Sequence, residues 1–236
     1  MTQEARERKW PNVTPKDAAT LIIIDRTTTP AKVLMGKRHH GHKFMPGKFV
    51  FPGGRIERTD GSMNVAGTLA APVEEKLQKL MQRPSITRAR GLALAAVRET
   101  FEETGILIGV KDHGVPPSPE GPWRDFASHG VFPDLEPLHF IARAITPPRR
   151  PKRFDARFFA VDATHIAHRI EGVVSPDTEL VDLVWQPIGV AIELDLPSIT
   201  RIVLKELEAR IEAGFGHHLP TPFFHEKNRR WFRDLL

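Results

Sequence analysis

Three glutamates on one face of a predicted helix constrain this chain more than any other feature. Glu99, Glu102 and Glu103 are spaced so that an α-helix carries all of them on a single face. Neighbouring carboxylates repel one another unless a positive charge lies between them, and hard divalent cations such as Mg²⁺ or Mn²⁺ prefer oxygen ligands. A solvated acidic face is the ordinary alternative. Arg98 just before the glutamates and Gly105 just after them favour a metal site.

A glycine-rich segment upstream completes a pattern. Residues 51–57 read Phe-Pro-Gly-Gly-Arg-Ile-Glu, and residues 98–106 read Arg-Glu-Thr-Phe-Glu-Glu-Thr-Gly-Ile. Together they resemble the signature of the Nudix hydrolases, Gly-x5-Glu-x7-Arg-Glu-U-x-Glu-Glu-x-Gly-U, in which U is bulky and apolar. Three features depart from it. Thr100 stands at the first U, Asp60 stands in place of the first Glu, and 37 residues separate Asp60 from Arg98.

The long insertion makes the chain similar to one branch of that family, the peroxisomal coenzyme A diphosphatases of animals. Coenzyme A diphosphatases also carry the upstream motif Arg-x3-Gly-x3-Phe-Pro-Gly-Gly. Here the matching residues are Lys43, Gly47 and the segment 51–54, so the spacing is kept and Lys replaces Arg. Lys can contact a phosphate but lacks the planar fork of Arg. The earlier part of the motif is largely lost at residues 34–39.

The resemblance implies hydrolysis of a nucleoside diphosphate linked to another group, with Mg²⁺ or Mn²⁺ as cofactor and water attacking phosphorus. Carried over by position, Glu99, Glu102 and Glu103 and the carbonyl of Gly54 would bind the metal. Glu99 or Glu103 would act as general base. Arg98 would hold the carboxylates in place by charge-assisted hydrogen bonds. The role of Asp60 stays open.

Some Nudix enzymes take a base from a late loop, and Glu179 is our candidate among the acids there, which are Glu171, Asp177, Glu179 and Asp182. The alternative for each is a solvated loop acid. For substrate phosphates we predict contacts from Arg38, Lys43, Arg55 and Arg157. Arg157 shares a strand face with Arg153, so pairing with acids is an equal alternative for it. The spacing of His39, His40 and His42 fits no common zinc pattern.

The element pattern predicts an α/β fold, a Nudix-type α/β/α sandwich with a mixed sheet. We expect a single domain over residues 1–236, an insertion at 61–85 and a helical C-terminal extension at 197–236. The predicted strands are 18–25, 32–37, 49–51, 138–145, 154–161 and 180–185. The predicted helices are 73–81, 87–104, 123–128, 188–193 and 199–213.

Composition excludes several classes of protein. The chain has no cysteine, which rules out a disulfide framework, a thiolate nucleophile and a Cys-ligated zinc site. No apolar run approaches the roughly 18–20 residues of a membrane span. The first residues lack the apolar core of a secretory signal, and residues 234–236 are not a peroxisomal address. We therefore expect a cytoplasmic location.

The net charge of +5 and the pI of about 9.7 suit a polyanionic small molecule. A nucleic-acid partner is not expected, because apart from residues 149–153 the charge is scattered. A homodimer is compatible with the family resemblance. The predicted function is metal-dependent hydrolysis of coenzyme A or acyl-coenzyme A at the diphosphate. The alternatives are another nucleoside diphosphate derivative, such as NADH, ADP-ribose or a nucleotide sugar, or a non-catalytic nucleotide-binding regulatory module.

Overall fold

A computed structural model describes residues 10–42, 45–111 and 114–236 of the 236-residue chain. Strands and helices alternate irregularly along it. The strands are β1 (Lys16–Asp25), β2 (Lys32–Arg38), β3 (Phe49–Val50), β4 (Gly53–Arg55), β5 (Ile106–Ile108), β6 (His139–Ile145), β7 (Phe154–Asp162), β8 (Ile166–Arg169), β9 (Leu180–Pro187), β10 (Pro222–Lys227) and β11 (Arg230–Leu235). The helices are α1 (Ala71–Gln78), α2 (Ile86–Thr104), α3 (Pro122–Ser128), α4 (Ile188–Glu193) and α5 (Ser198–Glu212).

The main sheet is mixed and runs in the order β11-β10-β6-β7-β1-β2-β3. β1 and β7 are parallel over nearly their whole length, as are the short contacts of β10 with β6. The other pairs in this sheet are antiparallel. β9 pairs along all of β2, and β4 pairs with the first half of β1. β5 and β8 form a separate two-stranded sheet.

Alternate residues of β1 point to opposite faces of the sheet and into two separate apolar clusters. Leu21 and Ile23 pack in the cluster beneath α2, whereas Ile22 and Ile24 pack in the cluster beneath α5. Helices therefore cover both faces, and the α/β/α sandwich with a mixed sheet is confirmed. In the described parts of the chain, no helix has the length and apolar character needed to cross a membrane.

Helix α2 begins and ends where the sequence indicates. The Ser85 side chain accepts a hydrogen bond from the Arg88 N–H at 3.1 Å, which satisfies one free donor of the first turn. Gly105 ends the helix in the left-handed region with φ of 71°, a conformation that favours glycine. Between them, small and apolar residues such as Ala93, Ala96 and Val97 are fully buried. The helix that carries the carboxylates in its last turns is thus capped at both ends.

The insertion packs on the α2 side of the sheet. Its helix α1 ends at Gln78, earlier than the predicted 81, and the positive φ angles of Leu80 and Arg83 break the helical path. Met63, Val73 and Leu77 are buried in the same apolar cluster as α2. The insertion therefore contributes to the core.

The expected helical extension at residues 197–236 is wrong beyond α5. Residues 222–235 form a hairpin, β10 and β11, that extends the main sheet through β6. Phe223 and Phe224 pack into opposite apolar clusters, which is the alternation of a strand. Asn228 and Arg229 both have positive φ, as a tight hairpin turn requires. The short strands β4, β5 and β8 were also not predicted.

Candidate active site

The last turns of α2 face the Gly53-Gly54 segment of β4. The backbone N–H of Gly53 donates a hydrogen bond to Oε2 of Glu103 at 3.1 Å. Gly54 lies against the carboxylate of Glu99 so closely that a Cβ at position 54 would overlap that carboxylate. Glycine at this position therefore leaves room for the Glu99 carboxylate against the strand. Two predicted parts of the site, distant in sequence, therefore meet.

Arg98 holds two of these glutamates from below. Its side chain is 1% exposed, and Nη1 donates to Oε1 of Glu99 at 2.9 Å and to both carboxylate oxygens of Glu102 at 3.3 Å. Nη2 also donates to the backbone carbonyl of Arg55 at 2.9 Å. The positioning role predicted for Arg98 is consistent with these contacts.

Asp60 occupies the opposite side of Arg98. Its carboxylate accepts from Nε of Arg98 at 2.8 Å and from Nη2 at 3.2 Å, and it is fully buried. The indole N–H of Trp123, on α3, donates to the same carboxylate at 2.9 Å, and the Glu57 N–H donates at 2.7 Å. Asp60 is thus joined to Arg98 despite the insertion between them.

Burial raises the pKa of each of the glutamates on this helix face. For Glu99 and Glu102, the positive charge and hydrogen bonds of Arg98 act in the opposite direction and offset part of the increase. The pKa of Glu103 lies well above the ordinary value, because desolvation is reinforced by the neighbouring charges of Glu179 and Glu99. The hydrogen bond from Gly53 offsets only part of that increase. Negative charge on Glu103 is therefore costly unless a cation is near.

Glu179, the late acid chosen from the sequence, reaches this site. Its charge raises the pKa of Glu103, and its carboxylate pairs with Nη2 of Arg38 at 2.7 Å. The Nε2 atom of His42 lies 3.8 Å from the other oxygen of Glu179. In contrast, Glu171 pairs at the surface with Arg169. The structure therefore brings together Arg38, Glu103 and Glu179.

The donor set at this site has the chemistry that Mg²⁺ or Mn²⁺ requires. Carboxylate oxygens of Glu99 and Glu103 converge on the Gly53-Gly54 segment, and the raised pKa of Glu103 would be offset by a nearby cation. In the described residues, no three side chains of His, Cys, Asp or Glu already surround a common metal position. Arg98 instead bridges Glu99 and Glu102.

A cavity of about 400 Å³ opens beside Glu102. Its polar lining is acidic, from Glu57, Glu102 and Asp125, and its apolar lining comes from Phe101, Ile170 and Val173. The negative charge of Glu57 contributes to the raised pKa of Glu102. The sequence did not predict that Glu57 and Asp125 would line this cavity. Glu57 could have been found from its place in the turn that leads to Asp60, whereas nothing local indicated Asp125.

The structure places the other three predicted substrate-binding residues in different surroundings or does not describe them. Arg157 is 1% exposed and its Nη1 pairs with Asp17 at 2.8 Å and Asp155 at 3.0 Å, so it is an internal ion-pair residue and the substrate contact predicted for it is wrong. The side chain of Arg55 is exposed next to Gly54, and its contact with substrate stays a prediction. Lys43 lies outside the described residues.

The comparisons with known proteins point to one family. No family model matches the chain. Nudix hydrolase 7 of Caenorhabditis elegans is 28% identical over 156 residues, which cover 61% of this chain and 43% of that protein. The acyl-coenzyme A diphosphatase NUDT19 of Xenopus laevis is 31% identical over 137 residues, 42% of this chain and 36% of that protein. The crystal structure of a Nudix hydrolase from Alicyclobacillus acidocaldarius is 28% identical and superposes with a TM-score of 0.63, covering 84% of this chain and 92% of that one.

The chain is a homologue of the Nudix hydrolases. The present chain matches less than half the length of each of these curated relatives. The glutamates, the glycine pair and Arg98 that suggested the family from sequence are the groups that meet between α2 and β4.

Proposed function

We propose that this Nudix homologue is a divalent-metal-dependent diphosphohydrolase that cleaves coenzyme A or acyl-coenzyme A at the diphosphate. The observation that carries the proposal is the convergence of Glu99, Glu102 and Glu103 beside Gly53 and Gly54, with Arg98 behind them. The name of the Xenopus relative supports the substrate class. In the proposed reaction a water oxygen bonds to phosphorus, the phosphoanhydride P–O bond breaks, and the leaving phosphate takes the electron pair.

Glu99, Glu102, Glu103 and the Gly54 carbonyl would hold the cation. Bound Mg²⁺ or Mn²⁺ would neutralise charge on the phosphate oxygens and lower the pKa of the attacking water. Glu103, in its carboxylate form, would accept the proton of that water, with Glu99 as the other candidate base. Glu179 would assist, because its negative charge raises the pKa of Glu103 and makes that carboxylate a stronger base. The predicted cytoplasmic location stays a prediction.

Arg38 is the strongest candidate for contacting substrate phosphates. Its side chain is mostly buried and ends at Glu179, so its guanidinium is held at the edge of the site. Arg55 directly follows the glycine pair in β4, and its side chain is exposed. The planar fork of either arginine matches two phosphate oxygens at once. Two arginines near the carboxylates would suit a diphosphate that carries negative charge on each phosphorus.

The test is a product assay with Mg²⁺ or Mn²⁺ on coenzyme A, several acyl-coenzyme A species, NADH, ADP-ribose and nucleotide sugars. We expect 3′,5′-ADP and 4′-phosphopantetheine from coenzyme A, with acyl-coenzyme A cleaved at the same bond. Preference for another substrate would retain the chemistry and reject the coenzyme A assignment. Tight nucleotide binding without turnover of any substrate would instead favour a regulatory module.

Two matched substitutions tie that activity to this site. Glu103→Gln keeps the shape of the side chain but removes the charge that binds metal and accepts the proton, so we expect kcat to fall by about three or more orders of magnitude. Glu75→Gln, on the exposed side of α1, makes the same chemical change away from the site and should leave kcat unchanged. A Glu103→Gln variant with nearly full activity would reject the assigned metal site.

A further inference from the structure

The outer edge of β11 is an open strand edge, and its sequence is complementary to itself. β11 is the last strand of the main sheet, and among the strands of the described residues only β10 pairs with it. All six of its residues are exposed, including Trp231 at 52%, Phe232 at 40% and Leu235 at 57%. Exposed apolar side chains along an unpaired edge mark a site for pairing with another strand.

The hairpin register determines which backbone groups point outward. Lys227 pairs with Arg230 across the two-residue turn, so this pair is hydrogen-bonded and bonded pairs alternate from it. Phe232 and Asp234 then bond to β10, whereas Trp231, Arg233 and Leu235 direct their N–H and C=O groups to the free edge. Pro222, which has no N–H, lies opposite Leu235 in a non-bonded pair, as this pattern requires.

When two copies of β11 pair in antiparallel fashion, they form hydrogen bonds only in registers that bring the outward N–H and C=O groups of the two strands face to face. A register centred on Phe232 does so by placing Trp231 of one copy opposite Arg233 of the other. It also places Arg230 opposite Asp234, with opposite charges, and it repeats both pairs about the twofold axis. The Arg233 guanidinium then lies beside the Trp231 ring, an arrangement that favours a cation–π contact.

The neighbouring register is less favourable. Centring it on Arg233 would place two Arg233 side chains directly opposite each other and Phe232 opposite Asp234, so like charges would meet and an apolar ring would face a carboxylate. Charge complementarity therefore favours the register centred on Phe232 over the one centred on Arg233. On the adjoining helix α5, Glu206 already binds Arg233 at 2.9 and 3.0 Å, which fixes that side chain along the edge.

We propose that the chain forms a twofold-symmetric homodimer by antiparallel pairing of β11 with β11 of a second copy, centred on Phe232. The pairing joins the two main sheets edge to edge and covers the exposed side chains of Trp231 and Phe232. It is independent of the proposed function, because β11 lies at the opposite end of the sheet order from β2 and β3.

The first experiment measures the mass of the full chain by light scattering and sedimentation at about 100 µM, where dimers with micromolar dissociation constants are populated. We expect a dimer. Arg230→Asp or Asp234→Arg puts like charges opposite each other twice in the dimer, and each should raise the dissociation constant by about tenfold or more. The Arg230→Asp/Asp234→Arg double variant restores opposite charges and should recover the dimer. Arg229→Asp makes the same charge change in the turn and should have little effect.

A second experiment fixes the register, because the chain has no cysteine of its own. Opposed residues of a non-bonded antiparallel pair have Cα atoms about 4.5 Å apart, which lies within the range that a disulfide spans. Phe232→Cys should therefore form an intermolecular disulfide on mild oxidation of the native protein, and Arg233→Cys should not. A monomer at this concentration would overturn the proposal. So would a dimer that Phe232→Cys fails to cross-link and that Arg230→Asp leaves intact, since another surface would then form it.

Discussion

At the scale of single residues, the guanidinium of Arg98 organises the candidate site. It is buried and shared between Asp60 on one side and Glu99 and Glu102 on the other. A buried guanidinium is stable only when its donors are satisfied, so each acid that it contacts is also fixed by it. The side chain therefore orients the carboxylates with a geometry that solvent-exposed glutamates on a free helix would not keep.

Asp60→Asn should destabilise the fold strongly. Asparagine has nearly the same shape but no charge, so the buried Arg98 guanidinium would lose its main counter-ion. Breaking a buried pair of this kind costs about 3–5 kcal/mol of the free energy of unfolding. Urea unfolding at neutral pH measures it. Asp177→Asn, at an exposed position, is the matched control and should stay within about 0.5 kcal/mol of the original protein. Equal effects of both variants would contradict the role given to Asp60.

Sequence periodicity was sufficient for some of these residues and insufficient for others. The spacing of Glu99, Glu102 and Glu103 fixes their common face, because an α-helix repeats every 3.6 residues. That Asp60 pairs with Arg98 could not be inferred from the sequence, because the long insertion between them removes any fixed spacing. The error at Arg157 has the same origin. Its counter-ions include Asp17, which the neighbouring strand β1 supplies, and the pattern of β7 alone does not indicate that neighbour.

At the scale of elements, the C-terminal end of α2 depends on Gly105. Gly105→Ala forces a side chain into the left-handed region, and its Cβ would also overlap the carbonyl oxygen of Ile170. Gly172 has a similar φ of 81°, but a Cβ there would meet nothing within 4 Å. Gly172→Ala should therefore cost only about 1–2 kcal/mol of the free energy of unfolding, and Gly105→Ala should cost more. Urea unfolding of both variants compares them, and equal losses would show that the Ile170 contact is unimportant.

His139, the first residue of β6, should make the free energy of unfolding depend on pH. Burial lowers the pKa of His139 to about 3, helped by the positive charges of His217 and Arg210. His139 is thus neutral in the folded protein, whereas the unfolded chain gains a proton below its ordinary pKa of about 6.5. The free energy of unfolding should therefore fall as the pH drops from 6.5 toward 3, by less than about 1.4 kcal/mol per pH unit because the ring is only partly buried.

Urea unfolding at pH 7 and pH 5 tests this dependence. His139→Phe keeps a ring against Phe215 and His217 but cannot take a proton, so the variant should lose part of the decrease in stability. His218→Phe, at an exposed position, should retain it. If His139→Phe and the original protein lose the same stability between the two pH values, His139 does not carry the effect.

Elements with strong local signals were predictable, and those formed by their partners were not. Ser85 and Gly105 mark the ends of α2, and the branched run of β1 reads as a buried strand from its sequence alone. β5 and β8 are short and form only because they pair with each other. The sequence predicts a helical extension where β10 and β11 form, because aromatic and basic residues are mixed there without a clear strand period. Tertiary pairing decides such segments.

At the scale of the whole molecule, Lys76 connects the insertion to the segment that precedes the C-terminal hairpin. Its Nζ donates to the backbone carbonyls of His217 at 2.7 Å and Leu219 at 2.5 Å. From the other side, Arg210 of α5 donates to carbonyls of the same segment, including Pro220 at 2.7 Å. Cations from the insertion and from α5 therefore hold one loop, and the insertion stabilises the sheet end that carries β10.

Lys76→Met should loosen that connection without disturbing the candidate site. Methionine retains much of the apolar length but leaves the carbonyls of His217 and Leu219 without their charged donor, a loss of about 1.5–3 kcal/mol per hydrogen bond to a charged group. Lys79→Met is the matched control, because the side chain of Lys79 pairs with Glu75 at the surface, a contact worth at most about 1 kcal/mol. Urea unfolding gives the loss of stability, and amide hydrogen exchange should become faster at residues 216–221 in Lys76→Met alone. Unchanged exchange in that segment would mean that Arg210 holds the loop by itself.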